Sequence, residues 1–121
     1  MLEAYLRLQT TLAEDAMDRV PADAAALGKE AEHLGAAGER IHAVAIQLQG
    51  ASDSKAMRAG FGDVSDAVIA YVRTSNSPAG SAIRLVYCPM VEKSWVQRGT
   101  AVRNPYFGKE MLECGEVKGG L

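Results

Sequence analysis

The sequence predicts a mainly α fold: a three- or four-helix bundle with a short C-terminal strand and irregular segment packed on it. Three observations lead there. Met57, Phe61, Val64, Val68 and Tyr71 recur at steps of four, three, four and three, the spacing of one buried helix face. Leu27, Leu34, Ile41 and Leu48 repeat every seven residues, with the small residues Ala24, Ala31, Gly38 and Ala45 between them, a pattern suited to a seam between close helices. After Ser81 the pattern changes, and Ile83-Arg84-Leu85-Val86-Tyr87-Cys88 is β-branched and aromatic with partial alternation.

In chain order, Leu2, Tyr5, Leu6, Leu8, Leu12, Ala13 and Ala16 give a first helix with a wide apolar face. Glu14 and Asp15 interrupt it, and a turn is expected between Asp15 and Pro21, because proline is tolerated only in a helix's first turn. Gly35 and Gly38 break the next stretch into two helices, since glycine costs about 1 kcal/mol inside one. Ser52 or Asp53 caps the following helix, and Thr74 to Ser81 reads as a loop. Trp95 lies in a segment with no assignable pattern. Asn104 to Leu112 reads as a short helix with Asn104 as N-cap, Pro105 at its first position and Gly115 placed to end it. One domain over 1–121 is expected, with the helical part at about 1–75 and the Cys/Met-containing segment at about 82–118.

With 48% hydrophobic and 23% charged residues, the chain has the makeup of an ordinary globular core. A net charge of −2 offers no basic surface for tracking phosphates, so no nucleic-acid partner is expected. Apolar runs such as Ala67 to Val72 fall far short of a bilayer span, so no membrane insertion is expected. The N-terminus lacks the basic, apolar and small-residue regions of a signal peptide, which leaves a cytosolic protein or a piece of a longer, exported one.

The chemistry-bearing residues are sulfurs. Cys88 and Met90 flank Pro89, and Met111 and Cys114 lie three apart, a spacing that shares one face of a helical turn. Two thiolates with one or two thioethers would suit Cu(I) or Ag(I), which soft ligands select. On spacing alone a Cys88–Cys114 disulfide or buried thiols stand ahead of a metal site, with the methionines as core filler. In any of these cases Cys88 and Cys114 are expected in one sulfur cluster. His33 and His42, nine apart, do not share a one-face spacing on a single helix and are expected to ligate nothing. Tyr106 and Phe107 read as packing groups, and Trp95 as a core cap. No enzymatic activity is expected: nothing local activates either cysteine, and no glycine-rich loop has phosphate-binding form.

The stretch YCPMVEKSWVQRGTAVRNPYFGKEMLECGEV resembles the end of a domain appended to periplasmic adaptor subunits of heavy-metal efflux systems of the resistance-nodulation-division type, also found in secreted stand-alone proteins. The helical stretches YLRLQTTLAED and MRAGFGDVSDAVIAYV are similar as well, so the likeness covers nearly the whole chain, and only the middle, Pro21 to Gly50, matches in type alone. Cys88, Pro89 and Met90 match the family's CPM, Asn104 to Gly108 its NPY-x-G, and Met111, Cys114 and Gly115 its closing motif. The resemblance implies a periplasmic or cell-envelope location, efflux-system proteins as partners, copper or silver as the ion, and no catalysis. It tips the balance at Cys88, Met90, Met111 and Cys114 from disulfide to metal. Tyr87 stands where many relatives carry histidine before the CPM, so this chain lacks or replaces a ligand there if that histidine is one.

Overall fold

The computed structural model describes residues 1–75 and 82–121. Four α-helices come first: α1 (Leu2–Ala13), α2 (Val20–Glu32), α3 (Glu39–Gln49) and α4 (Ser54–Thr74). A three-stranded antiparallel sheet follows, built from β1 (Ile83–Cys88), β2 (Lys93–Arg98) and β3 (Glu116–Gly120) in the order β2-β1-β3. The chain is therefore mainly α, and the C-terminal part holds more strand than its sequence suggested. No helix among the described residues is long and apolar enough to cross a membrane.

The helix boundaries follow local chemistry. Asp53 caps α4 with its side-chain oxygen, accepting from Ala56 N at 2.8 Å. Pro21 sits in the first turn of α2, where its missing N–H costs nothing. The α2–α3 break falls at a short 3-10 turn over Gly35–Gly38, and that before α2 at one over Met17–Arg19. Of the expected Thr74–Ser81 loop, Thr74 closes α4 and Ser75 follows it; 76–81 lie outside the described residues.

One core joins helices and sheet. Tyr5 on α1, Phe61 on α4 and Trp95 on β2 are wholly buried, and such side chains each contribute about 1.5–3 kcal/mol on leaving water. The Tyr5 and Phe61 rings stack at 5.4 Å, Phe61 meets Tyr106 at 5.7 Å, and Tyr106 meets Trp95 edge-on at 6.0 Å. The buried Tyr5 hydroxyl pairs with Ser65 Oγ at 2.5 Å and accepts from Val96 N at 3.0 Å, fixing α1 and α4 to β2.

One unassigned segment is resolved, and two expectations need correction. The unassigned segment around Trp95 is β2; its Trp95, Val96 and Gln97 are buried in succession, which removes the alternation that marks a half-buried strand. The short helix expected from Asn104 is a turn followed by a 3-10 turn over Gly108–Met111. Asn104 still caps it, since its Oδ1 accepts from Tyr106 N at 2.7 Å and Phe107 N at 3.2 Å. Gly115 is no helix stop. A Cβ there would lie 2.8 Å from the Trp95 ring and 2.9 Å from Val86 Cγ1, so the residue is glycine because the chain crosses directly over the core.

Candidate metal centre

Strand register brings the two cysteines together. β1 is central, and its Tyr87 pairs with Glu116 of β3, so the end of β1 and the entry to β3 meet at one end of the sheet. Cys88 is the last residue of β1, and Cys114 lies two before β3. Their sulfurs stand 3.7 Å apart as free thiols. A disulfide would hold them at about 2.05 Å. Cys88 is fully buried, while Cys114 is partly exposed.

Each cysteine adjoins a tight turn, Cys88 before one and Cys114 after one. Pro89 to Glu92 form the loop between β1 and β2, with Glu92 in the left-handed region at φ 55°. Pro89 has no N–H, but the backbone N–H groups of Met90 and Val91 turn back on the Cys88 sulfur. On the other side Cys114 N donates to Met111 O at 3.1 Å, closing the M-x-x-C turn.

Asn104 joins the two halves. It is completely buried, and its Nδ2 donates to Cys114 O at 2.6 Å while the side chain also hydrogen-bonds the Cys88 sulfur. Asn104 N donates to Leu112 O at 2.7 Å. One amide therefore caps the turn over Pro105–Phe107, holds the Cys114 backbone and faces the Cys88 thiol. The sequence marked Asn104 as a cap but not as this link, because an amide's second contact leaves no spacing pattern.

The surroundings split the thiols. Burial pushes the Cys88 thiol up, but hydrogen bonds from Val91 N–H, the Asn104 side chain, Met90 N–H and the Cys114 thiol outweigh it, and its pKa falls below the ordinary 9.0. Cys114 moves the other way, through burial and then through the hydrogen bond and charge of Cys88. The shifts run in opposite directions, so Cys88 is the first of the two thiols to lose its proton as pH rises.

The thioethers sit differently. Met90 is 64% exposed, so it is not the core filler that the disulfide alternative made of it. Met111 is half-buried in the 3-10 turn. Trp95 is core, with Nε1 donating to Gln97 Oε1 at 3.0 Å. Tyr106 locks the turn onto the core, its hydroxyl donating to Ser94 O at 2.7 Å. His33 is exposed, and His42 donates from Nδ1 to Gly28 O at 2.8 Å. Among the described residues no three His, Cys, Asp or Glu side chains gather as a metal-binding group.

The arrangement can give up a proton and hold a soft cation between two sulfurs, or, with an external two-electron oxidant, lose both thiol protons and close a disulfide. Comparison of the chain with protein-family models, with characterised proteins and with solved structures finds no match.

Proposed function

We propose that this protein is a non-catalytic module of the cell envelope that binds Cu(I) or Ag(I) as cargo through Cys88 and Cys114, with Met90 and Met111 as thioether donors, and passes it to a heavy-metal efflux assembly. The observation that carries the reading is the pair of unbridged sulfurs at 3.7 Å, one in a cradle of hydrogen-bond donors that favours thiolate. Two sulfurs each about 2.3 Å from one ion stand about 4.6 Å apart when collinear with it. The shorter separation goes with a bent pair, which leaves positions for further donors. Met90 and Met111, two and three residues from the cysteines in sequence, are the thioethers proposed for those positions, a donor type that soft ions accept and Zn(II) does not favour. Exposed Met90 gives an incoming ion a first ligand at the surface. The likeness of the CPM, NPYFG and ML-x-CG series to the efflux-adaptor domain supports the location and the partner.

A second reading is favoured by the same spacing. Thiols this close oxidise readily to a disulfide, and the chain is then a structural or docking module of the adaptor. Titration with Cu(I) against a competing chelator, under reductant, separates the two. The metal reading expects one equivalent bound, binding lost in Cys88→Ser, and affinity lowered on the order of tenfold in Met90→Leu/Met111→Leu, a double variant that keeps volume and fold. A melt that responds to reductant and never to Cu(I), or Zn(II) binding that survives in the double methionine variant, overturns it.

A further inference from the structure

The structure carries a second candidate site, lined by none of the four sulfur residues. A cavity of about 410 Å³ opens where α1, the 3-10 turn before α2, the end of β2 and the loop after it converge. Four of the chain's 13 basic side chains line it, Arg7, Arg19, Arg98 and Arg103, against two carboxylates, Glu3 and Glu14. An excess of two positive charges is thus concentrated in one concavity of a chain whose net charge is −2. No lysine lines the cavity.

Two of the four guanidiniums, those of Arg98 and Arg103, are held by carboxylates. Glu3 pairs with Arg98, and Arg98, first by its hydrogen bond and then by its charge, lowers the Glu3 pKa. Glu14 Oε2 holds Arg103 Nη2 at 3.2 Å. The backbone of Arg103 is pinned by two buried amides: Gln9 Nε2 donates to its carbonyl at 2.7 Å, and Gln97 Oε1 accepts from its N–H at 3.0 Å. Arg19 forms no ion pair among the described residues, so its charge is available to a ligand. Planar guanidinium forks match the oxygens of phosphate groups better than ammonium does.

We infer that this cavity binds a small phosphate monoester, its divalent headgroup held by Arg7, Arg19, Arg98 and Arg103. The headgroup balances the excess charge. The volume is in the range of small-molecule sites rather than of a bare ion, and Leu6 and Thr10 supply apolar and hydroxyl surface for an organic remainder. The inference is independent of the metal reading.

Calorimetric titration of the intact chain with glycerol phosphate, with inorganic phosphate and with sodium chloride at matched ionic strength tests it. The expected result is saturable binding of glycerol phosphate at millimolar concentration or below. Arg7→Gln/Arg19→Gln should weaken it at least about tenfold with an unchanged thermal melt, whereas Arg40→Gln/Arg73→Gln should leave it intact. Inorganic phosphate binding as tightly as the ester overturns the monoester assignment. Absent saturation, an equal response to chloride, or equal weakening in both double variants overturns the site.

Discussion

The Arg58 guanidinium on α4 clasps the Asp15 carboxylate, just past the end of α1, with Nη2 2.5 Å from Oδ1. The same guanidinium donates through Nη1 to Leu12 O at 3.2 Å and to Pro105 O at 2.5 Å. Asp15, itself in the left-handed region at φ 59°, accepts from Lys109 N at 2.8 Å through its other oxygen. Three segments distant in sequence thus meet at one ion pair: the end of α1, the first turns of α4 and the Asn-Pro-Tyr-Phe-Gly turn. That turn carries Asn104, whose Nδ2 holds the Cys114 carbonyl, so the clasp anchors the turn that abuts the thiols.

Removing this clasp should loosen the turn before the helices. Arg58→Met keeps the apolar stem and deletes the hydrogen bonds to Leu12, Asp15 and Pro105. The exposed Asp15 carboxylate keeps only its bond from Lys109 N, and a loss of about 1–3 kcal/mol is expected from equilibrium urea unfolding. Asp15→Asn keeps an acceptor for Lys109 N and should cost less. Equal or smaller damage from the arginine change would show that the clasp does not hold the turn.

Gly115 gives a sharper packing test. The walls its Cβ would meet are Trp95, Val86 and Val102, at 2.8, 2.9 and 3.1 Å, and the first two are fully buried. Gly115→Ala should cost about 1–3 kcal/mol by overpacking. It should also shift the fluorescence of Trp95, the single tryptophan. Gly50→Ala is the contrasting change, because its Cβ would meet only Gln47 O at 3.6 Å. It should be neutral, or stabilising by up to about 1 kcal/mol through the unfolded chain. Similar melts for both variants would contradict the close crossing.

The opposite shifts at the two thiols give stability a pH signature. Cys88 is more acidic folded than unfolded, so its contribution grows as pH rises through its folded pKa and is complete above 9.0. Cys114 is less acidic folded, so above 9.0 the unfolded chain releases its proton first and stability falls as pH climbs toward the raised value. The stability of the wild type under reductant, minus that of Cys88→Ser/Cys114→Ser, should therefore climb to a maximum near pH 9 and then decline. A difference that is flat across that window would remove the thiolate cradle.

How far the sequence discloses this architecture depends on what each element packs against. α4 is legible because one face is buried along its length and Asp53 caps it. The α2–α3 break is legible because Gly35 turns the chain at φ 63°. β3 is not: Glu-Val-Lys-Gly-Gly has little strand propensity, and it is a strand because β1 offers it an open edge. At the site the sulfurs are named by residue type. Their electrostatics come from the backbone N–H groups of Met90 and Val91 and from the buried amide of Asn104, and backbone donors have no residue signature.

Asn104 therefore offers the cleanest separation of positioning from packing. Asn104→Asp keeps the oxygen that accepts from Tyr106 N and Phe107 N, so the turn retains its cap. It loses the Nδ2 donor to Cys114 O and replaces a donor at the Cys88 sulfur with a carboxylate. A negative group beside a thiolate raises its pKa, and each unit lowers the thiolate fraction near neutral pH on the order of tenfold. Thiolate absorbance of the variant should thus appear at higher pH than in the wild type, and alkylation at pH 7.5 should slow while the Trp95 fluorescence stays native. Asn104→Ala removes cap and donor together and should lower the melting temperature as well. If Asn104→Asp left the thiolate titration unchanged, Asn104 would be a turn cap alone, and the acidity of Cys88 would rest on the Met90 and Val91 backbone.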